Sequence, residues 1–158
     1  MPSKSSVQLS IIIPTLNESL YLPALLEDLT TQQGLSFEII IGDGGSTDAT
    51  RTIAESHEVN FVSATRGRGV QMNAAASHAG GDLLLFIHAD SRIKDTSLLA
   101  NALQAFISEN SWQNGVAGHF SLRFMRTTNK NSTGYRFAEE KSALNRGNTG
   151  WIYSVYNN

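Results

Sequence analysis

The sequence contains no cysteine, which excludes a disulfide framework and any metal site built on thiolates. This absence fits a reducing compartment, and we expect a cytoplasmic protein. No apolar run approaches the length of a membrane span, and the stretch 9–14 is too short for the apolar core of a signal peptide. We therefore expect no transmembrane segment and at most a peripheral contact with a membrane.

An excess of one charge is also missing. The chain has 12 Lys and Arg against 14 Asp and Glu, a formal net charge of -2, so no broad basic surface is available for nucleic acid. The single small basic cluster is Arg66 and Arg68. With 158 residues, 41% of them hydrophobic and 16% charged, the composition predicts one globular domain that buries a core.

Two apolar runs that each end in a carboxylate are the main positive feature. Residues 38–42 precede Asp43, and residues 83–89 precede Asp90. Apolar and β-branched runs bounded by Gly and Asp are typical of strands buried on both faces of a parallel sheet. Since ligands of such open sheets bind beyond the carboxyl ends of the strands, the two aspartates indicate a binding edge.

Strands and helices alternate along the first hundred residues, which predicts an α/β fold with a mainly parallel sheet. The predicted strands are 9–14, 38–41, 60–63 and 82–87, the first stopped by its proline, and the predicted helices are about 21–33, 48–56, 69–79 and 98–107. Beyond these, alternation over 118–124 predicts a strand that can pair antiparallel, and 135–144 is predicted to be helical. Residues 145–158 have no clear period.

The loops after the first two strands carry candidate binding groups. Residues 14–18 (PTLNE) offer backbone amides and the acid Glu18 to a ligand, or else Asn17 simply caps the next helix. Residues 42–48 (GDGGSTD) contain three glycines that permit a sharp turn and a close backbone approach, although a plain connector with helix caps explains them too. Their spacing matches neither the dinucleotide fingerprint nor the phosphate-binding loop of nucleotide hydrolases.

The fourth strand suggests a cation site. If that strand stays extended, His88 and Asp90 point to the same side and can face one ion; otherwise they are a hydrogen-bonded histidine and a turn-capping aspartate. A nitrogen ligand beside oxygen ligands favours Mn²⁺, with Mg²⁺ still open. Two protein ligands suffice for a metal ion when a substrate diphosphate completes its coordination. Arg66 or Arg68 can pair with that diphosphate, or else both arginines are merely solvated.

These segments together resemble family 2 glycosyltransferases of the GT-A type, and more narrowly the arsenosugar biosynthesis subgroup. The resemblance covers about residues 8–95. The matching segments are 11–18 (IIIPTLNE), 43–50 (DGGSTDAT), Arg68 and Gly69 with Asn73, Gly81 with Asp82, and 88–90 (HAD).

The resemblance implies a Rossmann-like three-layer sandwich that binds a nucleotide-diphosphate sugar, first of all a UDP-sugar, with Mn²⁺ or Mg²⁺, and transfers the sugar to an acceptor. It implies a single domain over 1–158, with a donor-binding half over 8–95 and a partial acceptor half over 96–158, incomplete at the carboxyl end. The implied donor-binding residues are Pro14, Thr15 and Glu18 at the nucleoside, Asp43 at the base, and Asn17, Gly44, Arg66, Arg68 and His88 nearby, with Asp90 on the metal.

The sequence also departs from the family pattern. His88 replaces the first acid of an Asp-x-Asp motif, and Gly44 stands where many relatives carry a second aspartate. A Tyr-Gly-Asp-Gln type segment expected near residues 151–153 is missing, so the base that activates the acceptor is not identified. Glu139 or Glu140 are possible substitutes, although on a predicted helix both are more simply solvated charges.

Two alternatives follow from these departures. The first is a non-catalytic nucleotide-sugar-binding module, or an inactive fragment, that lacks the acceptor-activating base. The second is a nucleotidyltransferase, which shares the metal and phosphate chemistry. The second is disfavoured because residues 15–18 are acidic, whereas such enzymes normally have a glycine-rich loop with a lysine or arginine at this place.

Overall fold

The computed structural model describes residues 9–109, 117–119 and 151–154. Its strands are β1 (Leu9–Thr15), β2 (Phe37–Asp43), β3 (Asn60–Ser63), β4 (Leu83–Phe86), β5 (Ala117–His119) and β6 (Trp151–Ser154). Its helices are α1 (Leu22–Thr30), α2 (Thr50–Ser56), α3 (Arg68–Ala76) and α4 (Leu98–Glu109). Within this described part, no helix combines the length and the apolar character needed to cross a membrane.

The described strands form one sheet in the order β3-β2-β1-β4-β6-β5. The four strands from β3 to β4 are parallel, and β6 pairs antiparallel with both β4 and β5. The predicted α/β class with a mainly parallel sheet is therefore confirmed, as is antiparallel pairing for the described part of the predicted strand 118–124. The predicted helix 135–144 lies outside the described residues.

Helices cover both faces of the sheet. On one face, Ile11 and Ile13 of β1 join a core cluster with α1, α2 and α4; four leucines of α1 at helical spacing (Leu22, Leu25, Leu26 and Leu29) are fully buried there. On the other face, Ile12 of β1 packs in a second cluster with Ala75 of α3. Each buried leucine contributes about 1.5–3 kcal/mol, so these opposite apolar faces fix α1 and α3 on the two sides of β1.

The predicted strand stop at Pro14 is wrong. β1 continues through Pro14 to Thr15, with Pro14 opposite Gly42 of β2. On its other side, the pairing of β1 with β4 ends at Ile12. The Thr15 carbonyl faces β2 and accepts from the Gly44 N–H. Because backbone groups of neighbouring residues in a strand face opposite sides, those of Pro14 face β4, where the pairing has already ended. A proline, which has no N–H, is tolerated there.

Helix boundaries also differ from the prediction, and at the end of α1 the reason is a contact between segments far apart in sequence. α1 ends at Thr30 rather than near residue 33; the side chain of Gln32 instead donates to the carbonyl of Asp95 and accepts from the N–H of Leu99. α2 begins at Thr50 rather than 48, because the Asp48 carboxylate accepts the Thr50 N–H at 3.0 Å. α3 is Arg68–Ala76 rather than 69–79.

An ion pair fastens α1 to the segment after β4. The buried carboxylate of Asp28 accepts from Arg92 Nε at 2.6 Å and Nη2 at 2.8 Å, and from the Ile93 N–H at 2.9 Å. The hydrogen bond from Arg92 is the main reason that the pKa of Asp28 lies below its usual value. The charged form of Asp28 therefore stabilises the folded chain.

Replacing Asp28 by Asn should lower the free energy of unfolding at pH 7 by about 1–3 kcal/mol, because a carboxylate that accepts three hydrogen bonds is lost. Since the folded pKa is depressed, this contribution is complete above about pH 4 and is lost as the pH falls through the folded value. Urea unfolding should show that the free energy of unfolding differs less between the unsubstituted protein and Asp28→Asn at pH 3 than at pH 7. The exposed control Glu27→Gln on the same helix should leave stability unchanged; a gap independent of pH would contradict the assignment.

Candidate functional site

The strand order reverses between β1 and β4, and this defines where a ligand is expected. β1 leads to β2 on one side, whereas β4, which comes later in the chain, lies on its other side. A crevice opens outside the carboxyl ends of the strands at such a point. The predicted site segments 14–18 and 88–90 lie at the end of β1 and after β4, so they flank this switch point.

Backbone and side-chain hydrogen bonds lock the loop after β1 to the loop after β2. Asn17 takes a left-handed conformation, with φ 57°, which brings its backbone and side chain into this contact. The bonds that cross between the loops are Asn17 N–H to Ser46 Oγ (2.8 Å), Glu18 N–H to Thr50 Oγ1 (2.9 Å), Ser19 N–H to Asp48 Oδ2 (3.0 Å) and Thr47 N–H to Asn17 Oδ1 (2.8 Å). Asn17 therefore joins two loops rather than capping α1.

Asp43 lies at the centre of this arrangement and is 5% exposed. One carboxylate oxygen accepts from the hydroxyls of Thr15 and Ser46, and the other accepts from the N–H groups of Gly45 (2.9 Å) and Ser46 (2.8 Å). Burial alone would raise the pKa of Asp43, but these hydrogen bonds outweigh it and hold the pKa below its usual value. These four bonds fill the acceptor positions of the carboxylate, so a base could bond to Asp43 only by displacing one of them. The contact with a base stays a prediction.

Charged side chains after β1, after β4 and at the start of α3 interact electrostatically near the switch point. The pKa of Glu18 is raised, first by burial and then by the negative charges of Asp90 and Asp48, while Arg68 opposes the rise. The pKa of His88 is lowered by burial and by Arg68, against the effect of Asp90. Arg68 and Asp90 therefore both contribute to the pKa shifts of Glu18 and His88. Each of these four residues was predicted separately as a site residue.

The premise that β4 stays extended to Asp90 is wrong. β4 ends at Phe86. A turn follows, in which the Ser91 N–H donates to the His88 carbonyl at 3.0 Å. His88 and Asp90 are nevertheless both exposed, whereas Ala89 between them is 2% exposed. They therefore reach the binding edge together, although through a turn rather than through strand alternation.

The charges fit a cation that a substrate helps to hold. In residues 9–109 and the two short described strands beyond them, no three His, Asp or Glu side chains are grouped to hold a metal ion. Asp90 is exposed at the edge, and its negative charge adds to burial in raising the pKa of Glu18. This arrangement suits a divalent ion that draws its remaining oxygen ligands from a diphosphate.

Gln71 of α3 is not among the site residues predicted from the sequence. It is 5% exposed, and its side chain packs against Gly44 in the loop after β2. A Cβ atom at Gly44 would lie 2.9 Å from Gln71 Cδ, and one at Gly42 would lie 2.3 Å from the Gln71 carbonyl oxygen. Glycine at position 44 therefore has a packing reason in this chain. The glycines were visible in the sequence, but the backbone of Gln71 that crowds Gly42 and the side chain of Gln71 that crowds Gly44 were not.

Comparisons with known proteins agree with this geometry. The fold is that of GT-A glycosyltransferases. A crystal structure of Staphylococcus aureus TarS 1-349 with UDP-GlcNAc is similar, with a TM-score of 0.57 and 32% identity, and the match covers 65% of this chain and 32% of that one. A structure of the Pyrobaculum calidifontis mannosyltransferase PcManGT with GDP-Man and Mn²⁺ has a TM-score of 0.55 and 30% identity, and that match covers 61% of this chain and 31% of the other. The family model for glycosyl transferase family 2 matches residues 10–153, and the chain belongs to that family.

A curated relative from Mycobacterium bovis BCG, named a PGL/p-HBAD biosynthesis glycosyltransferase, is 38% identical over 127 residues. The match covers 76% of this chain and 48% of the relative, so the chain spans about half the length of the curated proteins it matches there. Membership of family 2 confirms the resemblance at that level. The narrower resemblance to arsenosugar biosynthesis enzymes stays a prediction.

Asp43→Asn should disrupt the binding edge. An amide has one acceptor oxygen, so its NH₂ group must face at least two of the donors that now point at the carboxylate. We expect the free energy of unfolding to fall by about 1–3 kcal/mol, measured by urea unfolding. The control Asp95→Asn, at an aspartate whose bonds to Ser97 close a local turn, should cost much less; equal losses would contradict a special role for Asp43.

Proposed function

We propose that the protein is a glycosyltransferase that binds a nucleotide-diphosphate sugar, first of all a UDP-sugar, at the carboxyl edge of the sheet and transfers the sugar to an acceptor. The observation that carries this proposal is that Glu18, His88 and Asp90 follow the two strands that flank the switch point, with Arg68 close enough to act on both Glu18 and His88. Neighbours of the same fold that bind UDP-GlcNAc or GDP-Man support the donor class.

The loops divide the donor between them in this proposal. Pro14, Thr15 and Glu18 border the nucleoside, and Asp43 shapes the loop below the base. The diphosphate lies toward the start of α3, where Arg68 is the first helical residue and the helix dipole favours negative charge. The planar guanidinium group of Arg68 can donate two parallel hydrogen bonds to a phosphate, a fork that the point-like ammonium group of a lysine does not offer.

A divalent cation, Mn²⁺ or Mg²⁺, completes the proposed site. Asp90 would hold it, with His88, which is also exposed, two residues away in the same turn. When bound, the cation stabilises negative charge on the departing diphosphate. The crystal structure of PcManGT with GDP-Man and Mn²⁺ supports a divalent cation for this fold.

Asp90→Ala should weaken UDP binding about tenfold or more when Mn²⁺ is present, and should have little effect when it is absent, because Asp90 is proposed to act through the metal. Titration calorimetry with UDP at saturating and at zero Mn²⁺ measures both affinities. Asp82→Ala, at the opposite end of β4, is the matched control and should keep the metal dependence. Equal UDP affinity with and without Mn²⁺ would count against the metal assignment.

Arg68→Ala should weaken UDP binding about tenfold or more while leaving uridine binding unchanged, because a charge-assisted bond to the diphosphate is lost. Arg66→Ala, in the same exposed loop, should have the smaller effect, since Arg68 is the arginine that acts on both Glu18 and His88. Calorimetry with UDP and with uridine makes this comparison. If Arg66→Ala has the larger effect, the phosphate contact belongs to that residue.

Transfer itself is tested by turnover of a labelled donor. Glu139 and Glu140 lie outside the described residues, so no acceptor-activating base is assigned. Metal-dependent release of UDP from UDP-glucose or UDP-GlcNAc, to an acceptor or to water, would exclude a non-catalytic binding module. Tight UDP binding with no release above background would favour that module instead.

A further inference from the structure

The side-chain amide of Gln71 joins three segments that form the binding edge. Its Nε2 group donates to the carbonyl oxygens of Thr15, at the end of β1, and of Gly42, near the end of β2 at 3.2 Å. Its Oε1 atom accepts from the N–H of Gly67 at 3.3 Å, in the loop before α3. One buried amide thus bonds to the ends of two strands and to the arginine-bearing loop.

These bonds use the full geometry of the amide. Both N–H groups of Nε2 find acceptors, and the oxygen finds a donor, so a side chain of the same length without the amide would remove one donor from each of the two strand-end carbonyls and the acceptor of the Gly67 N–H. Each acceptor or donor in question lies within three residues of a proposed donor-binding residue: Thr15 precedes Glu18, Gly42 precedes Asp43, and Gly67 separates Arg66 from Arg68.

The packing around Gln71 shows that this position is tightly constrained. Gly44 lies against its amide so closely that a Cβ atom there would come within 3.0 Å of Nε2. The N–H of Gly44 donates to the carbonyl of Thr15 at 2.9 Å, the same oxygen that accepts from Gln71. The strand ends and the glycine loop are therefore packed directly against the Gln71 side chain.

We propose that Gln71 is a positioning residue for donor binding: it fixes the distance between the nucleoside-facing loop after β1 and the loop that carries Arg68. The inference rests on the proposed function, because it states what the spacing is for. Gln71 acts through its neighbours, since its 5% exposure leaves almost no surface for a ligand. Its loss should change how well the nucleoside and diphosphate sites work together more than how each works alone.

The test compares Gln71→Met with a matched control on the same helix. Methionine keeps the length of glutamine and removes every amide bond. Met72→Ala, the control, removes buried volume from the second core cluster and leaves the Gln71 bonds intact. Gln71→Glu is the second variant, because it keeps the acceptor for Gly67 and replaces the donor that faces the two carbonyls.

Three readouts are needed: thermal stability, UDP affinity with Mn²⁺, and amide hydrogen exchange without ligand. We expect Gln71→Met and Gln71→Glu to lower UDP affinity about tenfold or more and to lower uridine affinity much less. Exchange at Gly44 and Gly67 should become faster, while β1 core amides such as Ile12 follow global stability alone. Met72→Ala should lose stability but keep UDP affinity within about twofold of the unsubstituted protein.

The failures are distinguishable. If the unsubstituted protein binds neither UDP nor GDP, the proposed function is refuted and the role of Gln71 in it falls as well. If it binds UDP and Gln71→Met binds equally well, only the inference about Gln71 is refuted. Exchange at Gly44 and Gly67 that matches the Met72→Ala control would also overturn it, since the loops would then keep their order without the amide.

Discussion

The hydrogen-bonded carboxylate of Asp43 is the interaction on which the binding edge depends. A carboxylate that is 5% exposed pays a large desolvation penalty, and here hydroxyl and backbone N–H donors, rather than a paired cation, offset it. Those donors come from Thr15 at the end of β1 and from Gly45 and Ser46 in the following loop. The charge therefore dictates the loop conformation, and Ser46 in turn orients the backbone of Asn17.

The charges around this edge suit two ligands together better than either alone. Glu18, Asp48 and Asp90 would repel a diphosphate that arrived without a cation, whereas Arg68 would repel a cation that arrived without an anion. A nucleotide diphosphate with a divalent ion satisfies both sets of side chains. A metal that the substrate helps to bind would therefore suit these charges better than a resident ion.

The sequence was sufficient to predict the parallel strands and the position of Asp43 and Asp90 at or just beyond the carboxyl ends of two of them, because apolar runs and terminal aspartates are local signals. Features set by distant contacts were not predictable: α1 ends early because Gln32 bonds to the segment near Asp95, and the strand Trp151–Ser154 exists through its pairing with β4. Gln71 has the same origin. On a short alanine-rich helix, nothing local separates a buried glutamine from a solvated one.

One helix also connects the two sides of the switch point. α1 begins after the loop that carries Glu18, and its Asp28 binds Arg92, two residues beyond Asp90. The backbone of Asp90 is thus held from one side by β4 and from the other by α1, while its side chain stays exposed. Because the apolar face of α1 is fully buried against β1, the position of this carboxylate relative to Glu18 depends on core packing as well as on the turn that bears it.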